Sequence, residues 1–118
     1  MGNRCLMIVH DGKKFGPVVY QHWADSPIET IKKIKGYMSD RKGDVDYATA
    51  RLIGILHTAE SAPSNLSLGC WNLPESLIPD LKEAVSAKIV SSKLQEYSHG
   101  DEGIYLIDCR DFTFMHIE

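Results

Sequence analysis

The residues best suited to chemistry in this chain of 118 residues are five histidines and three cysteines, and they are widely spaced. A zinc site needs closely spaced Cys and His pairs, yet neither C-x-x-C nor H-x-x-x-H occurs. The glycine-rich G-x-G-x-x-G and Walker phosphate loops are also absent. The sequence therefore predicts no metal site and no cofactor. The residues concerned are His10, His22, His57, His99 and His116, with Cys5, Cys70 and Cys109.

A catalytic thiol requires a nearby histidine that a carboxylate orients. His99 and Asp101 are two residues apart, so in an extended segment they would point the same way and could serve Cys70. Cys70 alternates with Leu66 and Leu68, however, which favours an inert buried thiol, as we also expect for the other two cysteines. We expect no catalytic residue. The alternative is a small enzyme or nucleotide-binding protein with a pocket of His22, Arg51, Cys70, His99 and Asp101.

Charge is unevenly distributed along the chain, whose formal net charge is −3. Residues 1–59 contain nine Lys/Arg and six Asp/Glu, whereas residues 60–118 contain four and ten. If the halves occupy different faces, the resulting field steers association with a charged partner; if they interleave, it cancels. The acidic half predicts a partner-binding surface, and the acidic whole predicts no direct nucleic-acid binding. The candidate contact residues are Glu96, Asp101, Glu102, Asp108 and Asp111.

The first half of the chain reads as a hairpin followed by two helices. Residues 4–9 and 17–23 are β-prone and flank Asp11-Gly12, a strong hairpin signal. Ser26 to Glu29 resembles a capping box with proline at the first helical position, which predicts a helix to about residue 41. Asp44 or Asp46 is positioned to cap a second helix through about residue 59. Arg51 falls on its apolar face, which predicts a buried or half-buried ion pair.

The second half adds three strands and one helix. We expect a strand over 66–71, a short turn before Pro79, and a helix over 79–91. We expect a polar turn over 98–102, and the glycines of the stretch 98–103, Gly100 and Gly103, permit positive φ. Residues 104–109 pair with 112–117 as a final hairpin across Arg110-Asp111. The order β-β-α-α-β-α-β-β predicts a single α+β domain over 1–118. Its sheet would be antiparallel, with about five strands and helices packed on one face.

Five short blocks in this chain occur in a recognisable order. They are Met1 to Arg4; Tyr20, His22 and Trp23; Tyr47 with Ala50, Arg51 and Leu52; Leu66, Ser67 and Gly69; and Gly100, Asp101, Gly103 and Tyr105. Together they resemble a family of small uncharacterised phage and prophage proteins, with residues 72–97 outside the match and a departure at Ala24-Asp25-Ser26. The resemblance implies a phage accessory protein and no particular activity.

The resemblance and the acidic half together favour a non-catalytic protein that binds a host protein or ribonucleoprotein complex. Its sharpest form is an anti-CRISPR-like inhibitor of a host defence complex that covers a basic surface. No apolar run approaches the roughly 18 residues of a membrane span, so we expect no membrane partner and a location in the host cytoplasm. We also expect a monomer or a homodimer. A self-assembling structural phage protein, pairing through a sheet edge or an aromatic patch, is a further alternative.

Overall fold

The computed structural model describes residues 4–22, 27–38, 41–58, 68–98 and 102–118. Within these residues, five strands form one sheet and four α-helices cover it. The strands are β1 (Arg4–His10), β2 (Phe15–His22), β3 (Leu68–Trp71), β4 (Gly103–Asp108) and β5 (Phe114–Ile117). The helices are α1 (Pro27–Tyr37), α2 (Val45–Thr58), α3 (Ile78–Ala87) and α4 (Ser92–Tyr97), and a 3-10 turn (Glu75–Leu77) precedes α3.

The sheet is mixed, with the strand order β3-β2-β1-β4-β5. The predicted hairpin pairs β1 with β2, but on its other side β1 pairs parallel with β4. The prediction of an antiparallel sheet was therefore wrong. The reason lies in two uninterrupted apolar runs, residues 5–9 and 104–107, which are buried throughout. Such runs are typical of strands that are covered on both faces, as parallel strands usually are.

The helices lie on both faces of the sheet, so the prediction of a single covered face was also wrong. Alternate residues of β1 and β4 point to opposite sides and join two separate cores. Cys5 and Met7 pack in the core shared with α1 and α2, whereas Leu6 and Ile8 pack in the core shared with α3 and α4. The structure has one helix more than the predicted order, namely α4. This helix is capped by Ser91, which accepts a hydrogen bond from the Leu94 amide (3.2 Å).

The connections that follow β1 and β4 meet the α1–α2 connection at one end of the sheet. The Cys109 amide donates to the His10 carbonyl (2.9 Å), and the Gly43 amide donates to the Cys109 carbonyl (2.8 Å). Asp44 then begins α2 by accepting a hydrogen bond from the Tyr47 amide (3.0 Å), as the capping pattern predicts. Among the described residues, no helix has the length and apolar character needed to cross a membrane.

Candidate functional site

A crevice of about 220 Å³ opens where the parallel strands β1 and β4 end. His10 and Asp108, the last residues of the two strands, are register partners. After β1 the chain turns towards β2, and after β4 it turns the other way towards β5. Connections that diverge from neighbouring parallel strands leave a crevice at the carboxyl ends, the usual ligand position in open α/β sheets. We call it the carboxyl-end crevice; its polar lining is His10, Lys88, Asp108, Arg110 and Thr113.

His10 is a buried, neutral histidine whose tautomer is set by the backbone. The Gly12 amide donates to His10 Nδ1 (2.9 Å), so in the neutral ring the proton is on Nε2. The ring stacks on Phe15 with centroids 5.3 Å apart. Burial lowers the pKa of His10, Asp108 acts in the opposite direction, and the charges of Arg110 and, to a smaller extent, Lys88 lower the pKa again. His10 therefore lines the crevice as a hydrogen-bond donor without charge.

Asp108 and Arg110 form a closed ion pair at the rim of the crevice. Arg110 Nε and Nη2 donate to the two carboxylate oxygens at 2.9 and 2.6 Å, and the Arg110 amide adds a third bond at 2.9 Å. These bonds lower the pKa of Asp108. The guanidinium lies against Gly12, where a Cβ would stand 3.0 Å from Nη2. Arg110 thus joins the two diverging connections, and its Nη1 makes no hydrogen bond to the described residues.

Lys88 ends α3 in the left-handed conformation, with φ 60° and ψ 28°. Its amide donates to the Ala84 carbonyl (3.0 Å), which closes the helix. A non-glycine residue avoids this region because its Cβ crowds the backbone, and such strain often marks a functional position. Lys88 is exposed and makes no ion pair with the described residues. Its positive charge at the crevice is therefore not neutralised by a direct partner.

The turn between β4 and β5 is held rigidly against the sheet. The Phe112 amide donates to the Asp108 carbonyl (2.7 Å), and its ring is buried with the α1 and α2 core. Thr113 donates to one Asp111 carboxylate oxygen through its amide (3.0 Å) and its hydroxyl (2.8 Å), which lowers the pKa of Asp111. The crevice therefore has a fixed wall on this side.

The arrangement is suited to binding rather than to proton transfer. In a catalytic dyad, a carboxylate would accept the histidine Nδ1 proton. Here Nδ1 accepts from Gly12, and both Asp108 oxygens accept from Arg110. What the crevice does present are donors, namely His10 Nε2–H, the Lys88 ammonium and Arg110 Nη1. Donors of this kind bind phosphate or carboxylate oxygens.

The predicted partner-binding residues do not gather at one place. Asp108 and Asp111 lie at the carboxyl end of β4, and Glu102 lies just before its amino end, about 20 Å away along the strand. Glu96 is exposed on α4, and Asp101 lies outside the described residues. Of this set, only Asp108 lines the crevice, where Arg110 occupies its oxygens.

The two residues of the alternative pocket whose side chains the structure describes, Arg51 and Cys70, lie on separate elements. Arg51 is exposed on α2, where it donates to the Tyr47 hydroxyl (2.6 Å) rather than entering the predicted buried ion pair. Cys70 is exposed on the outer strand β3, against the expectation of a buried thiol, whereas Cys5 and Cys109 are buried as predicted. The side chain of His22, and all of His99 and Asp101, fall outside the described residues. Over the described ranges, no group of three metal-ligating side chains converges.

Sequence reasoning missed His10, Lys88 and Arg110 as members of a site. The sequence does contain a signal for this site, because His10 and Asp108 each directly follow a continuous apolar run. That signal becomes informative only when the two runs are paired in parallel, which places both polar residues at the same end of the sheet. Searches of family models, curated proteins and solved structures found no match to this chain.

Proposed function

We propose that the protein is a non-catalytic binding protein whose carboxyl-end crevice receives a small anionic group, a phosphate or a carboxylate, of its ligand. The observation that carries this proposal is the buried neutral His10, which keeps its Nε2 proton as a donor in a crevice shared with Lys88 and Arg110. A neutral donor beside cations supports anion binding, since it adds a hydrogen bond without adding charge to the apolar surroundings.

Charge and size at the crevice are consistent with this ligand class. Asp108 and Arg110 neutralise each other, so Lys88 supplies the charge left over among the lining side chains. The volume of about 220 Å³ is smaller than that of sites for whole drug-sized molecules, which begin near 300 Å³. The crevice therefore suits a terminal anionic group, with the rest of the ligand outside.

The test is a titration of the ¹⁵N-labelled protein with inorganic phosphate and, separately, with acetate, followed by the amide signals of Gly12, Lys88 and Arg110. His10→Asn replaces Nδ1 with an amide oxygen that can still accept from Gly12 but removes the Nε2 donor. Lys88→Gln removes the charge. We expect either variant to weaken binding about tenfold, the effect of losing one charge-assisted hydrogen bond.

Lys82→Gln is the matched control, because Lys82 is exposed on the same helix but does not line the crevice. The control should retain wild-type affinity. The proposal is wrong if neither anion shifts these signals, or if Lys82→Gln weakens binding as much as Lys88→Gln does. The two anions distinguish the source of the group, since a phosphate site prefers phosphate and a carboxylate site prefers acetate.

A second proposal is inhibition of a host defence complex through an acidic surface. The observation in its favour is that two acidic residues, Glu102 and Glu118, come close at the opposite end of β4. Glu118 follows β5, and its Cα would lie 3.2 Å from a Cβ added at Gly103, the neighbour of Glu102. Charge reversal at Asp101 and Glu102 should slow association with an isolated host complex and reduce its salt dependence. Unchanged association kinetics in that variant would rule out this mechanism.

A further inference from the structure

A second concave surface lies between α1 and α2, on the face of the sheet opposite α3 and α4. This α1–α2 groove has a volume of about 330 Å³ and is lined by Tyr37, Ala50, Arg51, Gly54 and Ile55. Ala50 and Gly54 are one helical turn apart and give it a low floor. A Cβ added at Gly54 would meet no atom of the described residues within 4 Å, so the described residues leave space above this floor. The groove therefore has room for a flat group lying along α2.

Aromatic rings and guanidinium groups border this groove. Tyr37, at the end of α1, is 66% exposed, an unusual exposure for a large ring. The Tyr47 ring has the Arg41 guanidinium carbon 4.5 Å from its centroid and that of Arg51 5.0 Å away. The hydrogen bond from Arg51 Nη2 to the Tyr47 hydroxyl holds this guanidinium beside the groove. Arg51 is thus positioned without using a carboxylate.

Arg51, which lines the groove, and the other unpaired cations of α1, α2 and their connection lack acidic partners in the described part of the chain. The ion pairs found there involve Lys14, Lys32, Lys93 and Arg110. Five other exposed cations on α1, α2 and their connection take part in none of these pairs. They are Lys33, Lys35, Arg41, Lys42 and Arg51. Lys33 is four residues before Tyr37 on α1, so both project from the same side of that helix.

We propose that the α1–α2 groove binds single-stranded nucleic acid. An unpaired base would stack on the exposed Tyr37 ring above the Ala50 and Gly54 floor, and the flanking phosphates would contact Arg51 and Lys33. Aromatic platforms inside a basic groove are how proteins bind single strands without reading sequence. A polyglutamate peptide would match the charge but has no aromatic ring to stack on Tyr37. This inference is independent of the carboxyl-end crevice, which opens on the other face.

The inference departs from the expectation, drawn from net charge, that the protein does not contact nucleic acid. Net charge sums over all faces, whereas binding depends on the local field. In the fold, the basic segment that contains α1 and α2 covers one face, whereas the acidic residues Asp80, Glu83 and Glu96 lie on α3 and α4, which cover the other. A chain with a net charge of −3 can therefore present a basic groove.

The test is fluorescence anisotropy with a labelled oligothymidine of about 12 nucleotides, a length within the site sizes of single-strand binders. If the two phosphates at Arg51 and Lys33 are neutralised, log K should fall with log salt with a slope of about −1.4, or roughly sevenfold between 50 and 200 mM. Arg51→Gln should make that slope shallower by about 0.7. Lys82→Gln, an equal charge change on α3, should leave it unchanged.

Three variants at two positions test the shape of the groove without changing its charge. Tyr37→Ala should weaken binding about tenfold, and Tyr37→Phe should restore it, because the ring rather than the hydroxyl stacks. Gly54→Leu should block the floor and abolish binding while the helix remains folded, as checked by circular dichroism. The proposal is overturned if the oligonucleotide does not bind at 50 mM salt, if Tyr37→Ala or Gly54→Leu binds like wild type, or if a polyglutamate peptide binds equally well.

Discussion

His10 and Asp108 stand side by side at the ends of β1 and β4, yet they do not share a hydrogen bond in the structure. Each is committed to another group, His10 Nδ1 to the Gly12 amide and the Asp108 carboxylate to Arg110. The histidine is therefore kept neutral by its burial and by the Gly12 amide, because a proton on Nδ1 would remove the acceptor of that hydrogen bond. This relationship makes the crevice a set of donors rather than an acid–base pair.

The first prediction concerns the pH dependence of stability. Because burial lowers the pKa of His10, the unfolded chain takes up a proton near pH 6.5 before the folded protein does. The stability contributed by neutral His10 is thus complete above about pH 6.5 and is lost as the pH falls towards the folded pKa. In urea unfolding, the free energy of unfolding of wild type should decrease more between pH 7.5 and 5 than that of His10→Asn. Between pH 7.5 and 8.5 the difference between the two proteins should stay constant, and parallel curves down to pH 5 would contradict the prediction.

The second prediction separates the backbone strain at Lys88 from the function of its side chain. Lys88→Gly should raise the free energy of unfolding by about 1 kcal/mol, because glycine adopts the left-handed region without steric cost. Lys88→Ala removes the same amine but keeps a Cβ, so it should remain close to wild type in urea unfolding. Both variants should weaken anion binding about tenfold, as Lys88→Gln does. Equal stability of the glycine and alanine variants would show that position 88 carries no strain.

The third prediction compares two glycine-to-alanine changes. At Gly103, φ is +72° and a Cβ would lie 2.2 Å from the Ile117 carbonyl oxygen, so Gly103→Ala must displace β5. We expect a loss of more than about 3 kcal/mol in the free energy of unfolding. Gly36→Ala, at an open position on α1, should instead stabilise by about 0.5–1 kcal/mol. Thermal or urea unfolding measures both, and a tolerated alanine at position 103 would contradict the structure.

The fourth prediction concerns thiol reactivity. Burial raises the pKa of Cys5 to about 12 and that of Cys109 to about 11, and neither side chain is exposed, whereas Cys70 is exposed on β3. Since the thiolate is the reactive form, the native protein should show one fast-reacting thiol with an aromatic disulfide reagent. Cys70→Ser should abolish the fast phase, and denaturant should release two slow thiols. A fast phase that survives in Cys70→Ser would indicate that a buried cysteine becomes accessible.

Local sequence signals predicted most elements with useful accuracy. The Asp11-Gly12 turn, the Asp44 cap and the positive φ in the glycine-rich turn, found at Gly103, all follow from interactions within a few residues. Pro79 lies in the first turn of α3 and follows a short 3-10 turn, as expected from its missing amide. The fourth helix was missed because its six residues have only a weak periodic pattern, and its start depends on a single cap at Ser91.

By itself, the sequence determined the α+β class, the early hairpin, the first two helices and the scarcity of metal-binding patterns. Only the tertiary structure decided the parallel pairing of β1 with β4, the covering of both sheet faces, and the meeting of His10, Lys88 and Arg110. The physical reason is that local propensities depend on nearby residues, whereas strand pairing depends on how residues almost a hundred positions apart bury their apolar surface together. The same limit applies to charge, because composition records the sum of all side chains and the fold decides which of them share a surface.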